Sequence, residues 1–169
     1  HPPIPGAAGS PPRAGAARGG MAGQPPLPGP EGDLKWEAPA AWQNRPPKSQ
    51  MRKAEFTIPK AAGDSEDGEM LVFFFGANQG GNVEDNFARW RGMFKAADGQ
   101  PVDDSAVKRD SFEANGLKVS LIDVRGRFAP SSMGMGAAPE PRDNHRMLGA
   151  VVETPGGNWF FRATGPVAT

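Results

Sequence analysis

The 169-residue chain has no cysteine. That removes disulfides, thiolate nucleophiles and every Cys-based metal site together. Small secreted domains often need disulfide staples, but a chain of this size can do without them, so the absence decides little about compartment. Histidine is scarce as well, with only His1 and His145 present, and imidazole is the commonest positioned base in acid–base catalysis. Neither a Gly-x-Ser-x-Gly elbow nor a His-Glu-x-x-His pair occurs. Net charge is zero, 19 basic residues against 19 acidic ones, so no overall field draws the chain to nucleic acid or to an acidic membrane. No stretch approaches the roughly 18 apolar residues of a membrane-spanning helix.

Glycine and proline are plentiful, 23 and 19 residues, but unevenly spread. Residues 1–30 hold nine prolines, seven glycines and six alanines, no acid, and two arginines, Arg13 and Arg18. Ordering such a segment costs about 1–2 kcal/mol per residue, more than its small apolar surface offsets. We therefore expect residues 1–32 to be a disordered Pro/Gly/Ala-rich tether, extended where prolines cluster, and 33–169 to be the folded domain. No basic Pro-x-x-Pro core marks it as a ligand for a proline-binding partner. Deleting residues 1–30 is expected to leave the melting temperature unchanged; a loss of several degrees would mean that the segment docks. The chain opens on His1 rather than Met, which reads as a processed or partial chain.

Beyond Asp33 the pattern changes. Leu34–Glu37 alternates like a short strand, closed by Pro39 and followed by Trp42. In Met51–Ile58, Ala54, Phe56 and Ile58 share one face, as in a half-buried strand. Met70–Phe75 is apolar on both faces and predicts a central strand. Asn82 suits an N-cap, with Glu84 and Asp85 in the first turn. Val83, Phe87, Trp90 and Phe94 form one stripe of a helix over 83–96, with Asn86, Arg89 and Lys95 facing elsewhere. Asn115-Gly116 joins Val107–Ala114 to Leu117–Val124 as a hairpin. A Gly-, Pro- and Met-rich loop follows over 129–142, and Met147–Val152 and Trp159–Ala163 pair across residues 154–158. Hairpins dominate, which argues α+β: an antiparallel sheet with one amphipathic helix packed on it.

Several sets of residues have chemistry to weigh. Asp103, Asp104, Asp110 and Asp123 are the carboxylates that pairing in space would make catalytic, against the plainer reading of solvated acids. The loop Phe75–Asn82 sets a Gly-rich turn before a helix N-terminus, an anion site or a tight turn. It lacks the Lys-Ser/Thr pair of a P-loop. Met133, Met135, His145 and Met147 are the donor types that soft Cu(I) takes, or else gap-filling methionines. Arg89, Arg91 and Lys95 read as partners of Glu84 and Asp85 along one helix. Trp42 and Trp90 beside arginines look only superficially like a base-stacking platform. These sets define no catalytic residues, no cofactor and no resident metal.

Trp36…Pro39…Trp42, Met51–Phe56 and Gln79-Gly80-Gly81…Asn86-Phe87-Ala88-Arg89-Trp90 resemble a bacterial family of exported proteins and lipoproteins with a low-complexity N-terminal tether. Met147–Val152 and Phe160–Pro166 are similar to its closing segment. The resemblance spans about 33–166 and extends to the PsbP-like α/β/α sandwich, with its Pro-x-x-Trp opening and its Asn-x-x-Arg-Trp helix. It implies a non-catalytic, extracytoplasmic binding or assembly domain, periplasmic or held at the cell envelope, whose partner is a protein or a small ligand. Membrane contact would come only through a lipid anchor upstream. The alternatives are an enzyme with an unrecognised carboxylate site and a small-ligand carrier, the latter requiring an enclosed pocket. The family's closing segment is followed by a C-terminal helix, whereas this chain ends at Thr169. We therefore expect a truncated chain with part of one sheet face exposed, or covered only by the 98–106 and 129–142 loops. Leu71, Phe73 and Phe75 oppose Met70, Val72 and Phe74, as Trp159 and Phe161 oppose Phe160, and one of the two aromatic sets should then be markedly more accessible than the other.

Overall fold

The apolar run at Met70 becomes an inner strand of an eight-stranded, wholly antiparallel sheet. The computed structural model describes residues 34–131 and 137–169; the expected tether lies outside them. In chain order the elements are β1 (Gln43–Arg45), β2 (Arg52–Ile58), β3 (Gly68–Phe74), α1 (Val83–Gly92), β4 (Phe94–Lys95), β5 (Val107–Ala114), β6 (Leu117–Phe128), β7 (Arg142–Thr154) and β8 (Gly157–Pro166). The strands lie in the order β1-β2-β3-β8-β7-β6, with β4 and β5 pairing successive stretches of the outer edge of β6. The domain is α+β, an antiparallel sheet with one α-helix on it among the described residues.

Alternation divides the strands between two faces. On the helix face, Phe87 and Trp90 of α1 meet Ile122, Val124, Met147, Val151 and Phe160, joined by Phe94 and Val102 from the segment after the helix. Gly149 is what lets α1 approach: a Cβ there would stand 2.4 Å from Trp90 Cε3. The opposite face buries Ala54, Phe56, Val72, Phe74, Val119, Val152 and Trp159. Its cover is Leu34, Trp36 and Trp42, the two indoles lying 5.8 and 6.4 Å from the Phe56 ring.

The Asn82 cap and the hairpins form as the sequence implies. Asn82 accepts a 2.8 Å hydrogen bond from the Asp85 amide, and Asn115 and Gly116 take the positive φ values, 51° and 77°, that a tight hairpin turn needs. Four expectations are corrected. Leu34–Glu37 is not a strand; it crosses the sheet as irregular chain, because Leu34 and Trp36 serve as lids over aromatics rather than as ladder residues. The helix stops at Gly92, and Phe94 reaches the core from β4, where it pairs with Phe128. A period-3.6 stripe cannot separate that geometry from one more helical turn. Strand β7 begins at Arg142, inside the expected loop, and the second hairpin closes on Pro155-Gly156 alone.

The fourth correction concerns the aromatic sets, which do not differ as expected. Leu71, Phe160, Val72, Phe74 and Trp159 are all within 3% of full burial, while Phe73 and Phe161 are half-buried and Phe75 is 37% exposed. The 34–42 segment covers the part of that face around Phe56 and Phe161.

Candidate functional site

Segment 34–42 does not cover the whole of its face. Beyond it lies a concavity of about 330 Å³ floored by Met70, Leu121, Leu148, Ala150 and Phe161, with Lys108, Asp110 and Asp123 at its margin. Met70 and Leu148 also line an adjoining hollow of about 240 Å³ with Trp42, Ile58, Ala163 and Arg146. The two make one apolar groove across β3, β8, β7 and β6. Its central side chain, Leu148, is 46% exposed, and Phe112 on edge strand β5 is equally so. Alternation along β7 sets Leu148 and Ala150 on the face opposite to Met147 and Val151.

At the groove margin Arg146 grips Asp123 in a two-pronged pair, Nε to Oδ1 at 2.9 Å and Nη2 to Oδ2 at 2.8 Å. The Arg146 hydrogen bond, partly opposed by desolvation, holds the Asp123 carboxyl below its usual value of 3.8. Asp123 is thus a tied anion. Asp103 caps the short 3-10 turn Asp104–Ala106 through the Ser105 amide, and Asp104 pairs with Arg91 at 2.8 Å. Asp110 accepts from the Ser111 amide on β5. The four carboxylates fall into two pairs: Asp103 and Asp104 belong to the turn, whereas Asp110 and Asp123, on neighbouring strands, share the margin of the groove.

The expected pairing along the helix is replaced by pairing across elements. Arg91 binds Asp104 and the Val102 carbonyl and Arg109 of β5 takes Glu84 at 2.7 Å, while Arg89 stays within the helix and donates to Asn86 Oδ1. Asn86 does not face solvent but is 2% exposed, donating from Nδ2 to the carbonyls of Gly80 and Asn82 at 2.8 Å. The Gly-rich loop is the tight-turn alternative. A Cβ on Gly80, at φ 84°, would sit 2.6 Å from both Phe160 and Phe75. Trp42 and Trp90 lie on opposite faces of the sheet and form no shared platform.

The helix face carries two polar regions. A trough of about 710 Å³ between α1 and β5 has its charges matched, Arg109 with Glu84 and Lys118 with Glu153. A smaller hollow of about 250 Å³ is lined by Arg45, Thr57, Glu69, Arg142, His145 and Thr164. His145 is 4% exposed, stacks on Phe128 and has Nδ1 2.8 Å from the Asp143 carbonyl and Nε2 3.1 Å from Glu66 Oε1. Met147 lies two residues on, fully buried beneath the helix, while Met133 and Met135 fall outside the described residues. Sequence reading missed Glu55, which is fully buried on β2 between Arg45 and Arg52, since nothing in a short strand pattern marks a charged residue as a core one. In comparison with known proteins, no family model, no curated protein and no solved structure matches this chain.

Proposed function

We propose that this chain is a non-catalytic extracytoplasmic binding or assembly domain whose open sheet face seats an amphipathic helix of a partner protein. The observation that carries the reading is the apolar groove of Met70, Leu121, Leu148, Ala150 and Phe161. Its margin has Lys108 and Arg146 set against Asp110 and Asp123, balanced charges suited to the polar flanks of a helix. Four strands spaced about 4.8 Å apart make a floor wide enough for a helix roughly 10 Å across. The groove lies at the sheet surface with Leu148 46% exposed, which favours a macromolecular partner over a small molecule carried in an enclosed cavity. The pairing of Asp123 and Asp104 with arginines supports a non-catalytic reading.

The test uses a hydrophobic fluorescent dye as the probe. Dye fluorescence should rise on wild-type protein and fall at least several-fold with Leu148→Asp, a change at an exposed position that leaves the circular dichroism spectrum intact. A synthetic amphipathic Leu/Lys/Glu helix should displace the dye. Displacement by a short fatty acid but not by the helix would replace this reading with a carrier. Concentration-dependent mass in sedimentation, lost with Leu148→Asp, would replace it with a second copy of the chain. The extracytoplasmic placement rests on the resemblance, and an alkaline phosphatase fusion to the full-length precursor would be inactive if it is wrong.

A further inference from the structure

The sheet face that carries α1 turns polar beside the helix. Trp90 packs on the row of Ile122 and Gly149, and two residues along β6 the register sets Ser120 opposite Ser111 of β5. Two residues further on, the row is Lys118, Glu153 and Asn158. Together with the cap and first turn of α1, these residues line the trough of about 710 Å³. Its cations are matched: Arg109 holds Glu84 and Lys118 lies 3.1 Å from Glu153, while Asp110 accepts from the Ser111 amide. Its uncharged groups are not matched. Ser120 is 6% exposed, and its hydroxyl has no hydrogen-bond partner among the described residues. The Ser111 hydroxyl and the Asn158 side-chain amide have none either. Glu153 Oε2 is buried and meets Lys118 at an angle that makes no hydrogen bond. A buried hydroxyl without a partner forfeits the hydrogen bond it made in water, and a ligand that supplied one would restore it.

We propose that this trough is a binding site for a neutral oligosaccharide, whose hydroxyls are met by Ser120, Ser111 and Asn158. An anion finds no free cation there, because Arg109 and Lys118 already face carboxylates. An apolar ligand finds little to bury against: Val83 and Phe87 are the apolar residues of the lining, and Phe87 is 2% exposed. What remains is a mixed set, in which the two hydroxyls and the Asn158 amide both donate and accept while Glu153 Oε2 accepts. A sugar hydroxyl donates and accepts at one atom, so it can satisfy either kind of group. Cross-strand neighbours stand about 4.5–5.5 Å apart, which brings Ser111 and Ser120 near enough to meet hydroxyls of one sugar ring. The volume lies in the upper part of the range of small-ligand sites, about 300–1,000 Å³, and suits an oligomer rather than a single sugar. The trough lies on the face opposite to the apolar groove and does not depend on it.

A printed array of neutral, acidic and amino oligosaccharides, probed with the whole chain, tests the proposal, and calorimetric titration with the best-bound member measures it. Neutral members should be retained, with Kd below about 1 mM. Ser120→Ala removes only an unpaired hydroxyl, so it should leave the melting temperature unchanged and weaken binding roughly fivefold or more. Asn158→Ala should weaken it several-fold. Leu148→Asp, on the opposite face, should leave it as it is. Absence of binding to every neutral member would overturn the site, as would retention confined to acidic or amino members. Binding that Leu148→Asp abolishes, or that Ser120→Ala and Asn158→Ala both leave unchanged, would put the sugar elsewhere on the protein and overturn it equally.

Discussion

Trp90→Ala is expected to destabilise the domain by about 3–5 kcal/mol, the usual range for deleting a large buried aromatic. Trp90 is 2% exposed and, with Phe87 of the same helix 5.9 Å away, seats the one described helix on the sheet, packing on Gly149. In a domain of this size the loss corresponds to a fall in melting temperature of about 10 °C or more. Urea unfolding followed by far-ultraviolet circular dichroism measures it, since fluorescence would lose one of its own reporters. Gly149→Ala approaches the same contact from below. Its methyl carbon would meet Trp90 at 2.4 Å and Ile122 at 3.0 Å, forcing the indole and α1 away from β7 for about 2 kcal/mol. Combined with Trp90→Ala, the glycine substitution should cost little, because the obstruction is gone. Fully additive losses would show that Gly149 matters for some reason other than the seat of the helix.

Glu55→Gln is expected to cost about 3 kcal/mol at pH 7, the lower end of what breaking a buried ion pair removes, because Arg45 and Arg52 keep some contact with water. Desolvation by itself would raise the Glu55 pKa. The Arg52 hydrogen bond, the Lys48 amide and the charges of Arg52 and Arg45 outweigh it and bring the value below the usual 4.5. A carboxylate whose pKa is lower folded than unfolded contributes stability above its unfolded pKa and loses it as pH falls through the folded one. The gap between wild type and Glu55→Gln should therefore be full at pH 7 and shrink progressively below about pH 4.5. Asp123, held low by Arg146, adds to acid sensitivity in both proteins and cancels in the difference. Urea midpoints at pH 7 and pH 3 decide it; a gap that does not depend on pH would mean that the Glu55 charge is not what stabilises β2.

The elements whose causes are local were legible in the residues alone. Alternation in Arg52–Ile58, the doubly apolar run at Met70, the Asn82 cap and the Asn115-Gly116 turn each depend on a few adjacent residues, and each reappears. Tertiary structure decided whatever depends on residues far apart in the chain. Phe94 satisfies the helical stripe and the strand equally, and only pairing with Phe128 chooses between them. Leu34 and Trp36 alternate like a strand but find no ladder partner, so burial over Phe56 and Phe161 prevails. The choice of ion partners shows the same division. Helical spacing offered Glu84 to the arginines of its own helix, yet Arg109, 25 residues on, holds it, because packing β5 under α1 brings that cation closer. The candidate site is of this second kind. Leu148, Met70 and Phe161 come together through the β3-β8-β7 order. Sequence spacing carries no sign of it, since the strand order that brings them together is settled only when the sheet closes around its core.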